Sequence, residues 1–131
     1  MTVREVLHAH VPTLTAISTV RDAVDKLDIY QFPALVVVSE DGTPIGVLTE
    51  GDVCRAVIQR GDLIGIGHES AIAFASKQPT TISPGVEISD ALHMMLSSGL
   101  TVLPVVDGST FIGMVLRVDL MQAILMDAEA R

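Results

Sequence analysis

The sequence predicts a mixed α/β (α+β) fold built from two copies of one pattern of helices and strands. Two observations lead to this prediction: one short stretch occurs twice, and so does the order of elements around it. Residues 46–52 read Gly-Val-Leu-Thr-Glu-Gly-Asp, and residues 113–119 read Gly-Met-Val-Leu-Arg-Val-Asp. In each copy an apolar strand runs directly into a helix. Because half of this chain is too short to bury a large core alone, we expect the two copies to pack together.

The first copy alternates helical and extended segments. Thr2 and Glu5 have the spacing of a capping box for a short first helix, and Thr19 and Asp22 have the same spacing before a second. A β-branched run predicts a buried strand, and an Asp-Gly turn leads to the return strand. The predicted elements are a short helix at 2–9, an extended piece at 13–15, a helix from 19, strands at 35–38 and 45–48, and a helix at 50–59.

The same order returns in the second copy, with one residue lost at the tip of the second hairpin. Its elements are a short helix at 70–75, an extended piece at 81–83, a helix at 85–96, strands at 102–106 and 111–116, and a helix at 119–128. We therefore assign repeat 1 to residues 1–62 and repeat 2 to residues 70–131. The segment 63–69 contains Gly65 and Gly67 and is the predicted linker.

Composition narrows the classes of function. The 131 residues are 49% hydrophobic but only 3% aromatic, so the core must consist of aliphatic residues and Met. A net charge of −8 argues against nucleic acid and against an anionic membrane surface as partners. No apolar run approaches the ~20 residues of a membrane span, and the first residues do not resemble a signal peptide. The single cysteine fits a reducing compartment, so we expect a cytoplasmic protein.

The His, Cys, Ser and Asp residues do not form a catalytic or metal-binding pattern. The four histidines are scattered, and His8 and His10 are too close in sequence to lie on one helical face as a zinc pair does. No nucleophile motif links Ser, His and Asp residues, so we expect neither enzyme activity nor a metal site. Cys54 is predicted to lie in the core, and so are five of the methionines: Met94, Met95, Met114, Met121 and Met126.

The repeated stretch has two interpretations. A strand that ends in Thr49 and opens a helix presents a hydroxyl and free backbone N–H groups, which suit an anion, while Asp52 can accept hydrogen bonds from ribose hydroxyls. The same Thr-x-x-Asp spacing is also a capping box, which stabilises the helix and binds nothing. Taken alone, the spacing favours the interpretation as a cap. Because the stretch occurs twice, the interpretation as a ligand site gains support.

Several motifs together resemble a pair of cystathionine-β-synthase domains (CBS domains), also called a Bateman module. The pattern Gly-x-x-Thr-x-x-Asp is intact at Gly46, Thr49 and Asp52. The second repeat has the family's Thr-apolar-x-Pro start at residues 81–84 and its Leu-Pro-Val-Val-Asp strand at residues 103–107. The resemblance extends over almost the whole chain, and it implies two CBS units related by a pseudo-twofold axis.

The resemblance also implies two clefts that bind adenosine compounds such as AMP, ADP, ATP or S-adenosylmethionine. In each cleft the Asp of one repeat holds the ribose and its Thr meets the phosphate, while the early strand and Pro region of the other repeat contact the adenine. Carried onto this sequence, cleft A consists of Thr49, Asp52, Thr81, Ile82, Leu103 and Pro104. Cleft B, which we expect to be weaker, consists of Asp119, Arg117, Thr13, Leu14 and Val36.

Two departures from the family pattern affect the expected ligand. Leu116 stands where the family has Thr or Ser, so cleft B lacks a hydroxyl for a phosphate. No basic residue precedes Pro104 or stands at the matching position of repeat 1, so several phosphates would be poorly neutralised. Arg55, Arg117 and Lys77 are the candidate cations, and the alternative for each is a charge on a solvated face. We expect a mononucleotide, another adenosine compound without a polyphosphate, or an empty site in preference to ATP, and no required cofactor.

Two functions are compatible with the sequence. In the first, an adenosine ligand binds and changes how the protein meets a partner protein. In the second, the module binds no ligand and serves as a dimerisation or interaction domain. We expect a homodimer in either case, with an interface on helix stripes around Val53, Ala56 and Val57 and around Leu120, Ala123 and Ile124.

Overall fold

A computed structural model describes residues 1–61 and 63–130, which form two compact units. The first unit is Val11–Pro79, and the second unit joins Met1–His10 to the chain from Thr80 onward. The predicted repeat boundaries at Asp62 and Arg131 lie outside the described residues.

The first unit is a four-stranded sheet with helices. Its strands are β1 (Thr13–Leu14), β2 (Ala34–Val38), β3 (Pro44–Thr49) and β4 (Ser76–Lys77), in that spatial order. The β1 and β2 strands are parallel, and the other neighbours are antiparallel. Its helices are α1 (Val20–Tyr30), α2 (Glu50–Arg60), α3 (Leu63–Gly67) and the 3-10 helix Ala71–Phe74. Strand β4 was not predicted, because a two-residue edge strand has no apolar alternation of its own.

The segment predicted as a linker contains a helix. In α3, Ile66 is 3% exposed and packs in the core of the first unit with residues such as Leu14, Val20 and Leu48. Two glycines so close together suggest a flexible loop, and the sequence pattern is too short to reveal helical periodicity. Burial of Ile66 outweighs this local preference.

The second unit repeats the plan of the first. It contains the 3-10 helix Val3–Glu5, α4 (Ile88–Ser98), β5 (Val102–Asp107), β6 (Thr110–Leu116) and α5 (Arg117–Glu129). Strands β5 and β6 are antiparallel, and Ile82 forms a parallel bridge with Val105, as β1 does with β2. His8 forms an antiparallel bridge with Met114 on the other side. The predicted extended piece at 81–83 is therefore confirmed at Ile82.

Each compact unit contains the opening segment of the other sequence repeat. Val3 is fully buried in the core of the second unit, where its N–H donates to the carbonyl of Val86 over 2.9 Å. Ala71 is fully buried in the core of the first unit. Repeats are counted along the chain, whereas compact units are determined by which segments share a core. The two divisions therefore differ, and the repeat boundaries stay a prediction about the sequence.

The helix stripes predicted for a dimer interface face the cores instead. Val53 and Ala56 are buried in the first unit, and Leu120 and Ala123 are buried in the second. Apolar residues also occur on the opposite faces, so periodicity alone did not determine which stripe is exposed. The large exposed apolar residues of the helices are Val24, Ile29, Tyr30, Ile58, Ile64, Met94, Leu96, Val118, Met121, Leu125 and Met126.

The predictions for sulfur-containing residues are only partly correct. Met95 and Met114 are fully buried, whereas Met94, Met121 and Met126 are exposed. Cys54, which we placed in the core, is exposed on α2. No helix among the described residues is long and apolar enough to span a membrane.

Candidate functional site

Thr49 and Asp52 form a complete capping box at the start of α2. Thr49 is the N-cap, and its hydroxyl oxygen accepts the Asp52 N–H over 3.1 Å. Asp52 in turn accepts the Thr49 N–H at Oδ2 over 2.9 Å. The structure thus contains the cap that the spacing predicts, and the cap fixes the side chains of both residues at the helix N-terminus.

Arg55 brings a positive charge to this helix end. Its guanidinium donates to Oδ1 of Asp52, whose side chain is only 17% exposed, while Arg55 itself is 66% exposed. A Cβ added to Gly51 would lie 3.3 Å from Nη1 of Arg55 and 3.8 Å from Oγ1 of Thr49. The guanidinium and the Thr49 hydroxyl therefore both lie within 4 Å of the Cβ position of a glycine in the first turn of the helix.

This arrangement provides three kinds of polar contact within the first two turns of the helix. The Asp52 carboxylate accepts hydrogen bonds, the Arg55 guanidinium donates them, and the Thr49 hydroxyl does both. Backbone N–H groups of the first turn add a favourable environment for negative charge. The cap and the ligand site are thus compatible, because each carboxylate oxygen has more than one lone pair.

The residues predicted to contact adenine lie together in the second unit. The Ile82 N–H donates to the carbonyl of Pro104 over 3.0 Å, and Leu103 and Pro104 are both on β5. Ile82, Leu103 and Pro104 are buried, and Thr81 is partly exposed. These four residues therefore form a continuous patch of strand and loop. Thr49 and Asp52 belong to the first unit, so their assignment to the same cleft stays a prediction.

The second copy of the motif is organised differently. Leu116 is the N-cap of α5 and makes no side-chain cap, as its apolar side chain requires. Asp119, at the position that matches Asp52, contacts His8 instead: Nε2 of His8 lies 2.6 Å from Oδ2 of Asp119. From the sequence, His8 was weighed only as a metal ligand, and this contact was missed. The strand pairing could have revealed this contact, because His8 occupies in the second unit the place that Ser76 occupies in the first.

The remaining residues predicted for cleft B are divided between the units. Thr13 and Val36 are neighbours across β1 and β2 in the first unit, and Leu14 is fully packed in its core. Arg117 is in the second unit, in the first turn of α5, and its N–H donates to the carbonyl of Thr101 over 3.1 Å. The grouping of these residues into one cleft also stays a prediction.

Two cavities of the first unit lie along its helices. One of about 470 Å³ is lined by α1 and α2 residues that include Leu27, Val53 and Cys54. Another of about 450 Å³ is lined by residues of α1, α2 and α3, among them Val57 and Ile64. Across residues 1–61 and 63–130, no group of three or more His, Cys, Asp or Glu side chains is placed to hold a metal ion.

The CBS domain family model matches residues 3–59 and 70–126. The chain belongs to the CBS domain family. The two matched segments are the two sequence repeats, so this CBS chain contains the tandem pair that its motifs predicted.

The relatives of this CBS chain include proteins of different kinds. Protein MK0525 of Methanopyrus kandleri, which is uncharacterized, is 28% identical over 93% of the chain. The mitochondrial CBS domain-containing protein CBSX3 of Arabidopsis thaliana is 28% identical over 85%, and arabinose 5-phosphate isomerase KdsD of Salmonella typhimurium is 26% identical over 92%. The chain spans only 62%, 55% and 37% of these relatives, in that order.

Solved structures of CBS pairs have the same fold. CBSX2 in complex with AMP is 21% identical, and the match covers 97% of this chain and 98% of that chain with a TM-score of 0.84. The CBS domain pair of protein MJ0100, in complex with 5′-methylthioadenosine and S-adenosyl-L-methionine, is 18% identical with the same coverage and TM-score. At such low identities these matches establish the fold alone.

Proposed function

We propose that this CBS pair is a regulatory module that binds an adenosine-containing molecule at the first motif. The observation that carries the proposal is the set of Thr49, Asp52 and Arg55 around Gly51 at the start of α2. A hydroxyl, a carboxylate and a guanidinium within the first two turns of the helix match the hydroxyls and the anionic group of a nucleotide.

Asp52 and Thr49 of this set have separate proposed roles. Asp52 accepts hydrogen bonds from the ribose hydroxyls, and Thr49 with the first-turn N–H groups contacts the 5′ substituent. The segment of Thr81, Ile82, Leu103 and Pro104 supplies the adenine contact through backbone groups and the partly exposed Thr81, because the Ile82 and Leu103 side chains are buried. The second motif, with Asp119, Arg117, Thr13, Leu14 and Val36, is a weaker site because Leu116 cannot donate to a phosphate.

The ligand class follows from shared chemistry. AMP, 5′-methylthioadenosine and S-adenosylmethionine, bound by CBSX2 and by MJ0100, have adenosine in common and differ at the 5′ position. The guanidinium of Arg55 favours an anionic 5′ group over the cationic sulfonium of S-adenosylmethionine. The net charge of −8 disfavours a chain of several phosphates. A mononucleotide such as AMP satisfies both conditions.

The proposed role of the ligand is to shift a conformational equilibrium and not to react. The coupling available to such a regulator equals the difference in its affinity for the two states, typically about 1–3 kcal/mol. The state favoured by the ligand would then bind a partner protein differently. This role does not depend on a catalytic group.

Thermal unfolding in the presence of candidate ligands tests the proposal. The panel is AMP, ADP, ATP, NAD and S-adenosylmethionine, each added to wild type and to Asp52→Ala. A ligand present at 100 times its dissociation constant adds about 2.7 kcal/mol to the stability of the form that binds it. We expect the largest rise in melting temperature with AMP and no rise in Asp52→Ala.

The chain offers a matched control for the loss of the cap. Thr19 and Asp22 form the same capping box on α1, with hydrogen bonds of 2.8 and 3.2 Å. Asp22→Ala removes a cap without touching the proposed site, so it should retain the response to AMP. No response of wild type to any compound of the panel, or an equal response in Asp52→Ala, would overturn the proposal.

A second candidate function, self-association, is favoured by the exposed apolar helix faces. Residues such as Ile29 and Ile58 in the first unit, and Met121 and Leu125 in the second, are between 46% and 81% exposed. Exposed apolar residues clustered on helices are typical of protein interfaces. A homodimer formed through these faces is compatible with ligand binding at α2.

A further inference from the structure

The N-terminal segment is fixed against the second unit by backbone hydrogen bonds. The His8 N–H donates to the carbonyl of Met114 over 2.8 Å, and the Met114 N–H donates back to the carbonyl of His8 over 3.0 Å. With Val3 fully buried nearer the terminus, the backbone of the segment is held at both ends. The backbone atoms that carry the His8 side chain are therefore held in a defined position.

That side chain reaches the acid of the second motif. Nε2 of His8 lies 2.6 Å from Oδ2 of Asp119, and the Asp119 side chain is 28% exposed. A carboxylate only accepts hydrogen bonds, so the proton is on Nε2 and the imidazole donates. A hydrogen bond to an ionised acceptor is among the stronger ones in proteins.

The close approach of this segment depends on a glycine of the motif. A Cβ added to Gly113 would lie 2.5 Å from the carbonyl oxygen of His8 and 2.7 Å from Cδ1 of Leu7. No larger residue fits there unless the segment moves. The backbone position of His8 is thus fixed by tight packing on Gly113 as well as by its hydrogen bonds to Met114.

The first unit shows the same geometry with a different residue. Ser76 pairs with Val47 on β3 as His8 pairs with Met114 on β6. Asp52 there bonds to Thr49 and to Arg55. The two motifs consequently differ in what holds the acid. In the first motif two residues of the same helix end hold it, and in the second an imidazole from the N-terminal segment does.

From this difference we infer that His8 is a specificity-determining residue that prevents ligands from bonding to Asp119. The chain then binds one adenosine ligand and not two. A ribose at the second motif must displace the imidazole ring itself from the space beside Oδ2, whereas the matching Ser76 of the first unit carries no ring. This inference rests on the proposed adenosine site, and it adds a reason beyond Leu116 for the weakness of the second motif.

Calorimetric titration with AMP, using three variants of the full chain, tests the inference. His8→Ser places at this position the residue found at Ser76, and we expect it to bind a second AMP on the order of tenfold more tightly than wild type does, as loss of one competing charge-assisted hydrogen bond implies. His8→Gln keeps an N–H donor at the same reach and should retain a single binding event. His10→Ser, an exposed histidine two positions along, is the control and should match wild type.

The outcomes separate this inference from the proposed function. Binding of AMP to wild type tests the first motif, whereas the gain in His8→Ser tests the second. The added event should disappear in the double variant His8→Ser with Asp119→Ala, which assigns it to Asp119. Equal stoichiometry in wild type and His8→Ser, or a gain that persists without Asp119, would overturn the inference whether or not wild type binds AMP.

Discussion

Asp52 has two tasks with one carboxylate, since it completes the cap of α2 and is the proposed acceptor for ribose. Removing it is expected to cost about 0.5–1 kcal/mol of stability as well as any ligand contact. A loss of binding in Asp52→Ala is therefore interpretable only beside a variant that loses a cap alone. Asp22 supplies that comparison, because its box with Thr19 has the same geometry.

Gly113 and Gly46 occupy matching positions in the two repeats but tolerate substitution differently. A Cβ on Gly113 meets backbone at 2.5 Å, whereas a Cβ on Gly46 meets the Ala75 side chain at 3.2 Å and the Ser76 carbonyl at 3.4 Å. Gly113→Ala is expected to lower the free energy of unfolding by about 1–3 kcal/mol, the usual cost of overpacking. Gly46→Ala should cost less. Chemical denaturation measures both, and equal costs would show that the N-terminal segment is not tightly held.

The capping box of α1 is expected to make the free energy of unfolding depend on pH in acid. The pKa of Asp22 lies below its ordinary value of 3.8, chiefly because the Thr19 backbone N–H donates to the carboxylate and next because the Thr19 side chain does. A depressed pKa in the folded state contributes stability that is present above the unfolded value and lost as the pH falls toward the folded value.

Comparison of wild type with Asp22→Asn over a range of pH tests this sign. The difference in free energy of unfolding between them should be constant near neutral pH and should shrink below about pH 4. Urea denaturation at each pH measures it. A difference that stays constant into strong acid, or that grows, would contradict this role for the Asp22 carboxylate.

At the level of helices and strands, the sequence predicted those with strong periodicity or repetition. The helices α1, α2, α4 and α5 and the two hairpins were placed correctly, because capping boxes, Gly stops and β-branched runs mark them. The short elements α3 and β4 were missed, because their formation depends on partners far away in sequence. The same reason explains His8: its contact with Asp119 joins positions far apart in the chain, and no local pattern reports it.

Helix α3 provides a direct test of packing at a segment that the sequence predicts as linker. Ile66 is 3% exposed and Ile64 is 81% exposed on the same short helix. Ile66→Ala should lower the free energy of unfolding by about 2–5 kcal/mol, as expected for a buried aliphatic side chain. Ile64→Ala should change it by no more than about 0.5 kcal/mol. If the two variants are equally stable in denaturation, α3 does not pack as described.

Each of the two compact units combines segments from both sequence repeats. The opening segment at Met1–His10 completes the second unit, and the segment before Pro79 completes the first. Both units thereby obtain a further strand pairing and buried residues such as Val3 and Ala71. The family resemblance predicted the pair of repeats but not which segments share a core.

Self-association is also a property of the full chain. Sedimentation at micromolar concentration should show a dimer for wild type, and the exposed helix variants Ile58→Glu and Leu125→Glu should weaken it. Ile17→Glu is the control, because Ile17 is 90% exposed in the loop that follows β1 and not on a helix. A monomeric wild type would contradict the helix-face interface.

A nucleotide site at the start of α2 is tested most sharply by calorimetric titration of AMP into wild type, Asp22→Ala and Asp52→Ala. We expect wild type and Asp22→Ala to bind AMP with the same affinity. Asp52→Ala should bind it on the order of ten- to a hundredfold more weakly, as loss of a hydrogen bond to a charged acceptor implies. Equal affinity in all three proteins, or no binding to wild type, would contradict the site.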